Sequence, residues 1–182
     1  MLFVAQGYGA TSVAQIADQA GVALKTVYLA FPTKVDLLDK VIGVSLAGDD
    51  RPQPLRTRDW FQETLQAPPD RLLVLFAERT ADLMARAAQV LLVAEAAADS
   101  DAAVRRRRAI ARRSRRADIR LVAGALARKV PGLGEAEATD IMYTLAAAQN
   151  YAQLVLECGW SRARYLAWLS RTLQLVLLEP AS

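Results

Sequence analysis

A chain of 182 residues that is 53% apolar and 23% charged holds enough core for one large or two small domains, and nine glycines and seven prolines are too few for a disordered or loop-dominated chain. Histidine is absent and cysteine occurs once, at Cys158, which excludes a His general base, a Ser-His or Cys-His nucleophile pair, a His-ligated metal and an intrachain disulfide, and fits a reducing cytoplasm. No apolar run approaches the roughly 18 residues of a membrane span, and the N-terminus lacks a basic n-region, so neither membrane insertion nor a secretory signal is expected.

Alanine and leucine dominate and strand-like alternation is hard to find, so the expected fold class is all-α. The first informative element is Thr11 to Tyr28, which reads as two short helices bent at Gly21. Ala17, four residues earlier, lets the second helix cross close to the first, and Gly21 can take the positive φ that a tight interhelical turn needs. Ile16, Ala20, Val22 and Val27 are spaced to fill the wedge. Ser12 or Thr11 caps the first of the two helices, whose N-terminus can also bind phosphate. Tyr28 and Phe31 close the second, Pro32 breaks, and Thr33 is placed to cap a further helix with Leu37, Leu38, Val41 and Ile42 on its apolar face. This is a helix-turn-helix pattern, whose second helix is of the kind that enters a DNA major groove. Gly43-Val44-Ser45-Leu46-Ala47 matches a nucleophile elbow only loosely, and no phosphate-binding glycine loop follows, so an enzyme is not expected.

Residues 7 to 42 resemble the DNA-binding domain of TetR-type transcriptional repressors. The resemblance rests on Gly7-Tyr8-Gly9-Ala10-Thr11-Ser12-Val13, Ile16-Ala17, Ala20-Gly21-Val22, Thr26-Val27-Tyr28, Phe31, and Lys34 with Leu37-Leu38. It implies a three-helix reading head over 1–46 and a helical ligand-binding and dimerisation domain over 47–182. It also implies DNA contacts. Leu24 and Lys25 open the recognition helix, where Lys25 can donate to guanine and Leu24 can touch a thymine methyl. Thr26, Tyr28 and Lys34 match positions that reach the phosphate backbone, and Thr11, Ser12 and Ala23 complete the set. Departures from the family are visible too. Only Met1 to Gln6 precede Gly7, so the first helix is truncated, through a late start or a short chain. Ala23 removes a usual N-cap, and Ala14, Leu29 and Ala30 replace frequent polar groups. Residues 1–47 have no net charge, whereas residues 105–120 hold nine arginines against Asp118, a net of +8.

Ala47 to Pro54 reads as a linker and Asp59 to Gln66 as a short helix. After Pro68-Pro69, one helix is expected over Asp70 to Arg86, with Leu72, Leu73, Phe76, Thr80, Leu83, Met84 and Ala87 inward, and another near Val90 to Ala98. Asp101 to Lys129 reads as one long helix. Arg108, Arg112, Arg116 and Arg120 form its basic stripe, read as a solvated face whose stems cover apolar surface, and Ala103, Ile110, Ala117 and Leu121 form the opposing apolar line. The last two helices are expected over Glu135 to Cys158, with Cys158 in the core, and Ser161 to Leu178. Each carries two apolar stripes, which implies two partners: the chain's own core and the same helices of a second copy, or else deeper burial within a monomer. Tyr151, Leu154, Tyr165, Trp168, Thr172 and Leu175 are the candidate dimer residues.

The expected function is a ligand-responsive regulator, most simply a repressor, that binds double-stranded operator DNA as a homodimer and is released by a small, largely apolar effector. Phe76, Met84, Met142 and Tyr143 are candidate effector contacts, each with ordinary core as its plainer role. No cofactor or metal is expected. The alternative is a helical dimer that binds a small molecule or protein and has lost DNA, motivated by the short first helix and the uncharged reading head.

Overall fold

The structure, a computed structural model, describes residues 1–49 and 54–178. Asp50 to Gln53, within the expected linker, lie outside the described residues. The described residues form helices and turns with no strand. The reading head comprises α1 (Leu2–Ala10), α2 (Val13–Ala20), α3 (Leu24–Ala30) and α4 (Lys34–Ala47). A 3-10 turn (Leu55–Thr57) and α5 (Asp59–Gln66) lead to α6 (Pro69–Ser100), α7 (Ala102–Ala127), α8 (Glu135–Leu145), α9 (Ala148–Tyr151), a π turn (Ala152–Glu157) and α10 (Arg162–Leu178). No helix among the described residues is long and apolar enough to cross a membrane.

The local physics of the reading head is legible residue by residue. In α1, Gly7 breaks the helix at φ 81°, and Phe3 and Tyr8 stack with ring centroids 5.8 Å apart. Both rings are buried, and α1 packs on α6. Ser12 and Gln15 form a capping box on α2: Gln15 N donates to Ser12 Oγ at 3.1 Å, and Ser12 N donates to Gln15 Oε1 at 2.8 Å. Gly21 takes the left-handed conformation at φ 66°, ψ 28°, with its N–H turned back to Ala17 and Asp18. Ala17 and Val27 are buried in the crossing and Ile16 is half-buried, but Ala20 and Val22 are exposed, a correction to the expected wedge. Thr33 and Asp36 form a second capping box, on α4. Leu37, Leu38 and Ile42 are buried beneath α4 as expected.

The C-terminal part departs from expectation at three places. First, Pro69–Ser100 is one helix of 32 residues rather than two. Nothing between Arg86 and Val90 breaks a helix, since Ala87, Ala88 and Gln89 are all good formers. Second, the expected helix over 135–158 is interrupted at Ala146 and Ala147. The open carbonyls there are taken by side chains: Arg115 Nη2 donates to Tyr143 O at 3.1 Å and to Ala146 O at 2.9 Å, and Asn150 Nδ2 donates to Thr144 O at 2.7 Å. Cys158, past the π turn, is exposed rather than in the core.

Third, α7 is phased differently. Ile110 is 62% exposed and Leu121 49%, while the buried line is Val104, Arg108, Ile119, Val122 and Leu126. Its arginines are largely engaged within the chain. Arg108 and Arg112 meet Glu95, Arg116 meets Asp140, Arg120 meets Glu135 and Arg107 meets Asp36 and Asp39. Arg105 donates to the carbonyls of Ala98 and Asp99 at the end of α6. The stripe is a ladder of ion pairs between helices, and Arg106 and Arg113 stand exposed.

Asp101 is the joint between α6, α7 and the reading head. Its Oδ1 accepts the N–H groups of Ala103 and Val104, and its Oδ2 accepts the Tyr8 hydroxyl at 3.4 Å. The Val104 N–H, then the Ala103 N–H and the Tyr8 hydroxyl, hold the carboxyl below its usual range. Burial first, and then Asp101, push the Tyr8 phenol up to about 12, so it stays a donor. Asp101→Ala is expected to lower stability by about 1 kcal/mol through the lost cap. Because the folded-state pKa is depressed, that contribution is present above the unfolded pKa of about 4 and is lost as pH falls through the folded value. Urea unfolding of both proteins at pH 7 and then at decreasing pH should show the gap closing; a gap that is constant or widens in acid contradicts the linkage.

Candidate nucleic-acid interface

The outward face of the reading head is the face of α3. Ala23, Leu24, Lys25, Thr26 and Tyr28 are all exposed, Leu24 to 41% and Tyr28 to 47%, while Val27 points inward. Ala23 makes no side-chain cap, as its identity dictates. Ser12, also exposed, stands at the N-terminus of α2. These six side chains present one short apolar residue pair, one cation, three hydroxyls and an aromatic ring on a backbone fixed by two capping boxes and a left-handed glycine.

Two of the expected contacts face the other way. Thr11 is 1% exposed and its hydroxyl donates to Gly7 O at 2.6 Å, closing the break in α1. Lys34 reaches under the head: Nζ donates to Tyr8 O at 2.9 Å and Thr11 O at 3.0 Å and lies 4.1 Å from the Tyr8 ring centroid. Tyr8 O and Thr11 O lie at the C-terminal end of α1, and the lysine that opens α4 is the cation that caps them. The Lys34 correction lowers the basic character of the outward face. Among lysines that face retains Lys25, which is exposed.

The head is fixed to the body at three points that sequence reading missed. Tyr8 meets Asp101, as above. Arg107 of α7 donates to Asp36 at 2.8 Å and lies 3.5 Å from Asp39; burial pushes the Asp39 carboxyl up and Arg107 partly offsets it. Arg86 of α6 donates to Ser45 O at 3.1 Å and Leu46 O at 3.0 Å, capping the last turn of α4. Gly48 follows at φ 77°, and a Cβ there would stand 3.2 Å from Arg86 Nε. Each of the three contacts spans 40 residues or more, and no local spacing announces them.

The other candidate residues divide between core and surface. Phe76, Met84 and Met142 are buried at 9, 5 and 0%, and Tyr143 is half-buried with the Arg115 guanidinium 4.3 Å from its ring. None of the four lines either of the two best-formed clefts. Of the expected dimer residues, Tyr165 and Tyr151 are corrections: they are 0 and 5% exposed and pack edge to face at 4.8 Å inside the chain's own core. The Tyr165 hydroxyl is buried without a hydrogen-bond partner among the described residues. Leu154, Trp168 and Thr172 are half-buried, and Leu175 is exposed.

Helical throughout the described residues, with a helix-turn-helix head on a helical body, the chain has the architecture of a class, the helix-turn-helix regulatory proteins. Residues 1–41 match the family model for bacterial regulatory proteins of the tetR family, and the head of this chain is that family's helix-turn-helix domain. A similar solved structure is that of the transcriptional regulator FadR from Bacillus subtilis in complex with stearoyl-CoA. The two are 18% identical with a TM-score of 0.71, over 96% of this chain and 91% of that one, a likeness of fold that extends through the body. No curated protein matches the chain.

Proposed function

We propose that the chain is a repressor that binds a pseudo-palindromic operator as a homodimer and is released by a small, largely apolar effector. The observation that carries this reading is the exposed face of α3, with Leu24, Lys25, Thr26 and Tyr28 outward on a capped helical scaffold. Two such helices about 34 Å apart meet successive major grooves. Lys25 donates to a base or phosphate, Leu24 meets a thymine methyl, Tyr28 and Thr26 hold the backbone, and Ser12 brings the N-terminus of α2 to a phosphate. The effector acts by binding one spacing of the heads better than the other. Stearoyl-CoA, held by the neighbour FadR, is the first effector to try. Its chain would have to part the packing of Phe76, Met84 and Met142.

Fluorescence anisotropy on DNA from upstream of the gene, across a salt series, tests the reading. Lys25→Ala and Tyr28→Ala are each expected to weaken binding about tenfold, since one base or phosphate contact contributes about 1–3 kcal/mol. Operator affinity unchanged in both variants removes α3 as the reading helix. The second reading, a helical dimer without DNA binding, is favoured by one observation: Lys34 is turned inward beneath a head that has no net charge. Affinity that is weak and flat with salt selects it, because phosphate contacts make binding fall steeply as salt rises.

A further inference from the structure

Between the last turn of α4, the 3-10 turn and the outer side of α6 lies a partly open cleft of about 160 Å³. Leu46, Leu55 and Leu83 form its apolar wall and Trp60 of α5 one side. Two arginines of α6, Arg79 and Arg86, supply its charge. Among the described lining residues the one carboxylate, Asp82, is ion-paired with Arg162 of α10, so those residues keep a positive balance. Arg79 is the unusual group. Its guanidinium carbon stands 5.6 Å from the Trp60 ring centroid, and its Nε is buried with no hydrogen-bond partner among the described residues. A buried donor on a cation, left without an acceptor, is costly, and such groups are ordinarily satisfied. Arg79 also lines the cleft, so an anion there meets its positive charge.

We infer that this cleft binds a small organic anion: a carboxylate on a flat apolar body of about one ring. Size sets the body. A cavity of about 150 Å³ holds a benzene ring, and drug-sized ligands need about 300 Å³ or more. Shape and charge set the rest. Arg79 and Arg86 bring two guanidinium charges to a carboxylate, Arg86 by exchanging its carbonyl partners for the anion, and Trp60 with three leucines lines the apolar part. Arg86 also caps α4 through Ser45 O and Leu46 O, so an anion here competes for the group that fixes the foot of the reading head. The site lies away from Phe76, Met84, Met142 and Tyr143, and it goes beyond the apolar effector proposed above.

Benzoate is the probe, with benzamide as its neutral isostere, titrated into the full chain and followed by the indole N–H resonances of its three tryptophans. Trp60 is assigned with a Trp60→Phe variant. The expected result is a saturable shift of the Trp60 resonance with benzoate and binding of benzamide weaker by about tenfold or more, the scale of one lost charge-assisted contact. Arg79→Met is expected to weaken benzoate by a similar factor. Equal binding of benzamide and benzoate overturns the inference, as does a Trp60 resonance that benzoate leaves in place. The two ligands are compared on the unsubstituted chain, so the test remains decisive even where Arg79→Met fails to fold. No DNA is present, so a negative result leaves the regulator reading intact, and failed operator binding leaves this site standing.

Discussion

Glu95→Ala is expected to destabilise the fold by about 3 kcal/mol, a large part of the ~5–15 kcal/mol that separates a folded domain from its unfolded chain. Arg108 has a side chain only 10% exposed, and it points from α7 at Glu95 on α6, with Nε and Nη2 both donating to Glu95 Oε1. Arg112 reaches Glu95 Oε2 at 3.3 Å from the more exposed side. Removing the carboxylate leaves the Arg108 guanidinium between two helices with neither counter-charge nor acceptor, which is the costly way to break a buried pair. Glu95 is itself 24% exposed, so water relieves part of the penalty and the low end of the usual range applies. Removing both charges behaves differently. Arg108→Met with Glu95→Leu keeps volume, leaves no orphan, and is expected to stay close to wild-type stability. Urea unfolding with an unchanged m-value measures all three proteins. A Glu95→Ala midpoint at the wild-type value shows that water reaches Arg108 and that the pair is a surface contact.

The same helix shows why the fold was readable and its phasing was not. Its arginines, with Arg108, Arg112, Arg116 and Arg120 as the stripe, look like a solvated face because charged residues are almost never buried unless paired. The pairing partners lie elsewhere in the chain, at Asp36, Asp39, Glu95, Glu135 and Asp140. With Arg108 turned inward to Glu95, the buried line of α7 runs through Val104, Arg108, Ile119, Val122 and Leu126, and Ile110 faces water. The break at Ala146 has the same origin. Leu-Ala-Ala-Ala is good helical sequence, and it stops because Arg115, far back in the chain, takes its carbonyls. Burial accordingly pushes the Arg115 guanidinium below its ordinary value.

The reading head was legible for the opposite reason: its determinants are local. A left-handed Gly21 and the Ser12–Gln15 and Thr33–Asp36 boxes all follow from residues within a few positions of one another. What local reading missed there is again long-range. Lys34 is drawn to the carbonyls at the end of α1, 26 residues back for Tyr8. A glycine at a helix break followed by an unpaired lysine in the packed neighbour was the available signal, and it carries no direction by itself.

The proposed dimer makes the second large prediction. In α10 the inner line is Tyr165, Leu169, Leu173 and Leu177, all 3% exposed or less. On the other side Leu175 is 44% and Val176 50% exposed, Trp168 and Thr172 are half-buried, and Leu156 of the π turn is 49% exposed. Exposed large apolar side chains on α10 and on the π turn before it fit an interface better than water. Trp168 is a poor place to test this, because it packs on Tyr165 at 5.7 Å and Trp160 at 6.4 Å within its own chain, and a charge there attacks the fold. Leu175→Asp with Val176→Asp is the cleaner probe. In a monomer both carboxylates stand in water and cost little; in a self-complementary interface each meets its own copy and desolvated apolar surface. The double variant is expected to sediment as a monomer at concentrations where wild type is a dimer, with a thermal midpoint set by the monomer fold. Operator affinity should fall by about 100-fold or more, since a lone head loses the effective concentration that tethering supplies. A double variant that still sediments as a dimer moves the interface off α10. The exposed stripe of α7 through Ile110 and Leu121 would then be the next face to charge.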